Sequence, residues 1–297
     1  MKTILKIILF IGFPIALLVC VIDAFLVEPT WLVVRETTIT SSKITEPITI
    51  VFASDLQADN IGTYERRTLQ KIKEQNADLI LFGGDYVQTS RPEERQEVLW
   101  NWNQLFREVD LQAPLGIYAV QGNFDREQWQ TMFEGTAVVP LEQTLTQSIG
   151  EIRVTFLSEK DSGTVLPVPD VEQTDKEPGG KFRIIVGHRP NYAMATQEAE
   201  LLLAGHTHGG QVQIPLLGLP LVTASGSLPK RWATGRTLMA NGAMLIVSHG
   251  TGMERGNAPR VRFYCRPDIW VIRLVPDEVS VDAVVEKLAA EARIRAL

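Results

Sequence analysis

Five polar clusters, each placed directly after an apolar run, hold the residues with chemistry to offer. They are Asp55-Leu56-Gln57, Gly84-Asp85, Gly122-Asn123-Phe124-Asp125, Gly187-His188-Arg189-Pro190 and Gly205-His206-Thr207-His208-Gly209-Gly210. Carboxylate and amide oxygens with imidazole nitrogens, and no thiol, suit manganese, iron, zinc or a similar divalent ion. A single Gly-Asp is ordinarily a turn, and a single Asp after a strand is ordinarily a helix cap. The ordered set differs, because three of the 4 histidines fall within it. His206 and His208 are two apart and share a side of an extended segment, and the flanking glycines let the backbone approach an ion closely. The remaining histidine, His249, lies in the turn Ser248-His249-Gly250. That turn either brings it into the same cleft or buries it as a structural residue.

Side chains leave a sheet and point into a cleft at the carboxyl ends of strands, so the clusters require a sheet beneath them. Trp31–Thr40 and Ile48–Ala53 are β-rich, and Asp78–Phe82 and Gly116–Val120 are short apolar strands. Tyr64–Gln75 has helical spacing, and Pro92 opens a second helix with Val98, Leu99, Trp102, Leu105 and Phe106 as its apolar stripe. Alternating strand and helix is the α/β pattern. The second half changes character. Ile152–Leu157, Phe182–Val186, Leu201–Ala204, Val212–Ile214, Ala243–Val247, Val261–Tyr264 and Ile269–Leu274 read as strands with few helices between them. A second, more antiparallel sheet packed on the first is expected. Lys160–Lys181 reads as a long surface loop, and Val281, Val284, Val285 and Leu288 mark an amphipathic C-terminal helix packed on its own domain.

The chain has 297 residues, 45% of them hydrophobic, a net charge of −6 and 2 cysteines. That length buries a substantial core, the charge argues against a nucleic-acid partner, and the cysteine count excludes a disulfide scaffold. Ile7 to Ile22 carries no charge, and with Ile4, Leu5 and the apolar residues after Asp23 it approaches the ~20 residues that span a bilayer. An uncleaved single-pass anchor over residues 1–30 is expected, followed by one domain over 31–297. A cleaved signal peptide is the alternative. Lys2 and Lys6 precede the run while Asp23 and Glu28 follow it, which orients the domain to the non-cytoplasmic side of a plasma (inner) membrane.

The five clusters in this order resemble the calcineurin-like metallophosphoesterase superfamily. The run Gly205–Gln211 (GHTHGGQ) and the closing segment from Val247 through Arg262–Leu274 look most like its membrane-associated bacterial branch. That branch includes enzymes hydrolysing phospholipid-like sugar nucleotides. The resemblance covers about Ile48 to Leu274. It implies a four-layer αββα sandwich of two mixed sheets with two divalent metals between their loops. By position, Asp85 would bridge both ions, Asp55 and His208 would bind the first, and Asn123, His188 and His206 the second. Two cations about 3.5–4 Å apart can bind phosphoryl oxygens, activate a water and stabilise developing charge. Arg189, Arg231, Arg255 and Arg260 are candidate outer phosphate contacts as a group, while each taken singly reads as an ordinary surface arginine. Two departures stand out. Gln57 replaces a histidine ligand and offers only a neutral amide oxygen. Phe124 replaces the histidine that would contact the substrate and protonate its leaving group, and His249 is the candidate substitute. The expected activity is hydrolysis of phosphoester or pyrophosphate bonds, on a substrate that the anchor would allow to be lipid-linked. A relative that binds metal or a phospholigand without turnover is the second reading, and a structural membrane protein the third.

Overall fold

Strands that are apolar on both faces require cover on both, and the computed structural model provides it in layers. It describes residues 10, 12–89, 91–168, 180–195, 197–221, 228–254 and 260–277. Arg255, Lys2, Lys6 and the C-terminal tail with Val281, Val284, Val285 and Leu288 lie outside the described residues, as does much of the loop read over Lys160–Lys181. Among the described residues are β1 (Val33–Thr40), β2 (Ile48–Ala53), β3 (Leu79–Phe82), β4 (Ile117–Val120), β5 (Val138–Leu141), β6 (Leu145–Ile149) and β7 (Ile152–Phe156). They continue with β8 (Phe182–Val186), β9 (Leu201–Ala204), β10 (Gln213–Ile214), β11 (Leu219–Pro220), β12 (Gly235–Leu238), β13 (Met244–Val247) and β14 (Asp268–Val275). The first sheet runs β1-β14-β2-β3-β4-β5, the second β12-β13-β9-β8-β7-β6, and β10-β11 is a separate hairpin.

Alternation along each strand sorts the core. Ile50, Phe52, Leu79 and Leu81 face inward onto Val154, Phe156, Ile184, Leu203 and Ile246 of the second sheet. Val51, Ala53, Ile80 and Phe82 face outward under Leu69 and Ile72 of α2 (Thr63–Lys73) and Leu99, Trp102 and Phe106 of α3 (Arg95–Val109). This is the two-sheet mixed α/β sandwich that the resemblance implied. The outer face of the second sheet is more thinly covered. Ile185, Leu202, Leu245 and Val247 meet Tyr192 and Ala193 of a 3₁₀ turn and the partly buried Trp232, and α4 (Glu159–Ser162) is a single turn.

The second sheet is less antiparallel than its strand-rich sequence predicts. Its antiparallel pairs lie at the edges, β12 with β13 and β6 with β7, while β13-β9, β9-β8 and β8-β7 are parallel. Parallel neighbours need long crossovers, and among the described residues those crossovers show no long helix of the kind that makes such a sheet visible in sequence. The strand read over Val261–Tyr264 is a single bridge, Val212 to Phe263. β6 and β12 carry too many polar residues to show an apolar run, and β5 is a four-residue run interrupted by Pro140.

At the N-terminus, α1 (Phe13–Ile22) has no buried residue and continues through Asp23–Val27 into Glu28–Thr30. Phe13–Thr30 is long and apolar enough to cross a membrane, with a mean hydropathy of 1.9, and equally fits a signal sequence. Glu28 is not a free flanking charge. It is buried, and its carboxylate accepts the backbone N–H groups of Tyr264, at 2.9 Å, and Cys265. The inferred orientation therefore rests on Lys2 and Lys6, the residues that the charge rule weighs most.

Candidate metal centre

Register brings the clusters to one edge. Ala53 pairs with Phe82 and Phe82 with Ala119, so β2, β3 and β4 end level, and Asp55, Asp85 and Asn123 follow at once. In the second sheet Val186 pairs with Leu203 and Ala204 with Val247, which aligns His188, His206, His208 and His249. The two edges are tied together by hydrogen bonds. Imidazole Nδ1 of His188 donates to the Gly83 carbonyl at 2.8 Å, and the His206 N–H donates to the Asp55 carboxylate at 3.0 Å.

The backbone at these residues is unusual. Asp55, Gln57, Asp85, His206 and His208 all have positive φ, between 38° and 68°. Such conformations cost about 1–3 kcal/mol each, and they persist where the surrounding structure over-determines them, commonly at functional sites. Close packing enforces them. A Cβ on Gly122 would fall on the Asp85 carboxylate, and one on Gly205 would fall on Ser54 and Asp55.

Two groups of donors result. In the first, the ligand atoms of Asp85, His188 and His206 lie within 4.8 Å of one another, a spacing at which they could hold a metal ion. Nε2 of His188 is 3.2 Å from Asp85 Oδ2 and 3.0 Å from Asn123 Oδ1. Burial opposes a charge on His188, but the Asp85 carboxylate outweighs it and lifts the imidazole to about 9. In the second group, His208 Nε2 is 3.5 Å from Asp55 Oδ1. Both His208 ring nitrogens and Gln57 Oε1 are buried without a hydrogen-bond partner, while Gln57 Nε2 donates to Asp85 Oδ2 at 3.3 Å. Burial, with Arg262 nearby, holds His208 well below the usual imidazole range, and burial with His188 holds His206 at about 3. Both rings are neutral, with lone pairs available as ligands. Burial pushes Asp55 up to about 7, and the Asp85 charge adds to that rise. Orphaned buried acceptors cost about 1–3 kcal/mol apiece, so this donor set fits a cation and is strained without one.

Other sequence-selected residues are placed differently. His249 is buried with Nε2 2.7 Å from Thr234 Oγ1 and Nδ1 3.0 Å from the Arg266 carbonyl, so both nitrogens are engaged by the protein. Asp268 at the head of β14 accepts the His249 backbone N–H at 2.9 Å. This is the setting of a structural histidine. Arg189 pairs with Glu159 at 2.7 Å, Arg260 pairs with Asp59, and Arg231 is exposed. Phe124 is half-buried, and its backbone N–H donates to Asp85 Oδ1 at 2.7 Å.

Two supporting residues escaped the sequence reading of the site. Asp125 is buried and accepts the backbone N–H groups of Asp85 at 2.7 Å, Tyr86 at 2.8 Å and Gly122 at 2.8 Å. Its place in the Asn123 cluster was the available signal. Arg262 is fully buried and donates to the carbonyls of His249, Gly250, Gly252 and Cys265. Its place at the start of the closing Arg262–Leu274 segment was the available signal. Asp125→Ala strands three buried donors and is expected to lower unfolding free energy by about 3 kcal/mol or more, read from urea denaturation. Asp125→Asn should lose roughly half as much, since one oxygen remains to accept.

Buried carboxylate, amide and imidazole donors converging at the edge of a two-sheet α/β sandwich form a candidate site for a divalent ion. Residues 48–210 match the profile of the calcineurin-like phosphoesterases, and the chain belongs to that family of phosphoester hydrolases. It is 30% identical to a Bacillus subtilis protein described as an uncharacterized metallophosphoesterase, YkuE, over 83% of this chain and 87% of that one. It is 28% identical to the Escherichia coli phosphodiesterase YaeI over 68% of this chain and 72% of that one. Among solved structures it is similar to a dimetal phosphatase from Danio rerio, with a TM-score of 0.42, 11% identity, and coverage of 69% of this chain and 88% of that one.

Proposed function

We propose that the protein is a membrane-anchored phosphoesterase that works with two divalent ions and lacks the usual general-acid histidine. The observation that carries this reading is the pair of orphaned acceptors, His208 and Gln57, buried beside the Asp85-His188-His206 cluster. Asp55, Gln57 and His208 would hold one ion, Asn123, His188 and His206 the other, and Asp85 both. When bound, such ions activate water and stabilise charge on phosphoryl oxygens. The chain's own contribution is placement. Gly83 fixes the His188 ring through Nδ1 and leaves Nε2 facing Asp85 and Asn123. Asp125 and the Phe124 N–H hold the Asp85 loop and carboxylate. The domain would face away from the cytoplasm, with a phosphoester substrate that the anchor allows to be lipid-linked. Metal content and hydrolysis of a nitrophenyl phosphodiester, measured on one preparation of the full chain, test the reading. Two ions per chain with turnover support it, and a chain without specifically bound metal overturns it.

Chelation is expected to lower the melting temperature. A ligand at a hundredfold excess over its Kd adds about 2.7 kcal/mol, which for a domain of this size corresponds to roughly 5–10 °C. Scanning calorimetry before and after chelation and readdition of manganese or zinc reads the shift.

A second reading, metal binding without turnover, is favoured by Phe124 and by the engaged ring of His249. Two bound ions with no hydrolysis of any phosphoester would establish it.

A further inference from the structure

Directly after the His206-His208 loop, the β10-β11 hairpin presents leucines to solvent. Leu216 at its tip is 95% exposed, Leu217 65% and Leu221 56%. Leu216 also has a φ of 69°, in the left-handed region where hairpin tips favour Gly or Asn. The Leu216 side chain therefore buries almost no surface against the fold. Apolar tips of this kind on an otherwise polar surface mark an interaction site.

The hairpin is structurally continuous with the N-terminal helix. Its root, Gln213, donates its N–H to the Phe263 carbonyl at 2.9 Å, and Phe263 returns a bond to Gln211. The same short segment grips the end of the apolar helix. Arg262 N–H donates to the Ala24 carbonyl at 3.0 Å, and Tyr264 and Cys265 donate to buried Glu28. Interfacial chemistry surrounds both features. The Arg266 guanidinium lies 3.7 Å from the centre of the exposed Trp31 ring, and exposed Lys230 donates to the Leu221 carbonyl at 3.0 Å, next to exposed Arg231. Aromatic rings and cations beside apolar side chains are the composition of a membrane-water boundary.

We propose that the Ile214–Leu221 hairpin inserts its leucine tip into the bilayer interface beside the anchor helix, a second contact that fixes the metal centre against the membrane surface. The occupant is lipid, because the hairpin and the anchor helix are held by the same four-residue segment. The Cys265 thiol donates to the His208 carbonyl at 3.2 Å, so the donor loop is tied to that same segment. This inference rests on the reading of Phe13–Thr30 as a membrane span.

The test uses the full chain with Cys20→Ser, Cys265 being buried, reconstituted in phosphatidylethanolamine-phosphatidylglycerol vesicles. An environment-sensitive fluorophore is attached through Leu216→Cys, with Ser148→Cys on the exposed face of β6 as control. Phospholipid spin-labelled near the headgroup should quench the label at 216 at least about threefold more than the label at 148. Equal, weak quenching in a chain that resists carbonate extraction overturns the hairpin proposal and leaves the anchor standing. A tip covered instead by a second copy of the chain would also be screened from lipid, and that result overturns the proposal in the same way. Release of the chain by carbonate removes the anchor reading, and the proposal with it.

Discussion

Asp85→Asn is expected to abolish hydrolysis, by on the order of 10³-fold or more, in a protein that still folds. Asp85 is the residue on which the two donor groups converge. His188 Nε2 lies 3.2 Å from one of its oxygens, Gln57 donates to that same oxygen at 3.3 Å, and the Phe124 N–H donates to the other at 2.7 Å. Asparagine has the same shape and keeps one acceptor oxygen for the Phe124 N–H, so the Gly122–Asp125 loop retains its tie. It removes the negative charge that would hold two cations close against their mutual repulsion. Loss of support around a metal ligand commonly costs 10–100-fold, and loss of a shared ligand acts on both ions at once. The measurement pairs kcat/KM on a nitrophenyl phosphodiester with metal content and with the calorimetric shift on metal addition. The variant should show unchanged far-ultraviolet circular dichroism, fewer bound ions, and little or no stabilisation by added metal. Activity within tenfold of the unaltered protein, with two ions retained, would contradict the assignment of Asp85 as the shared ligand.

Phe124→His should speed hydrolysis of alkyl phosphoesters by about 10²-fold or more while leaving nitrophenyl esters within about threefold of their starting rate. A nitrophenolate departs as a stable anion and gains little from protonation. An alkoxide does not, and general-acid help is commonly worth ~10²–10⁴ in rate. Phe124 offers no proton, and the other candidate, His249, has both nitrogens taken by Thr234 and the Arg266 carbonyl. The substitution is sterically mild. Histidine is smaller than phenylalanine, the side chain is half-buried, and the contact with Asp85 is made by the backbone, which does not change. A leaving-group series on both proteins, with metal content checked in each, gives the slope of log rate against leaving-group pKa. It should be steep in the unaltered protein and shallower in the variant. A flat slope in the unaltered protein would mean that another acid operates. His249→Ala would then decide whether it is His249, and would otherwise lower stability without altering the slope.

What the sequence alone determined is local. Apolar runs at strand spacing from Ile48 to Val120, helical stripes in α2 and α3, and donors clustered after those runs all follow from side-chain periodicity, which is written in neighbouring residues. The apolar helix at the N-terminus is equally local. Tertiary structure decided what depends on distant partners. β14 inserts between β1 and β2, parallel to one and antiparallel to the other, and so carries Asp268 to the edge where the donors collect. The left-handed backbone at Asp55, Asp85 and His208 is selected by packing: Asp and His visit that region more readily than most residues, but their type alone does not mark these positions among the other Asp and His residues. Asp125 and Arg262 hold backbone groups across loops, and Glu28 turns inward to cap a segment 236 residues away. His249 shares its residue type with three candidate ligands and differs only in its hydrogen-bond partners. Side-chain chemistry is a property of the residue, but which atoms are left unpartnered is a property of the fold.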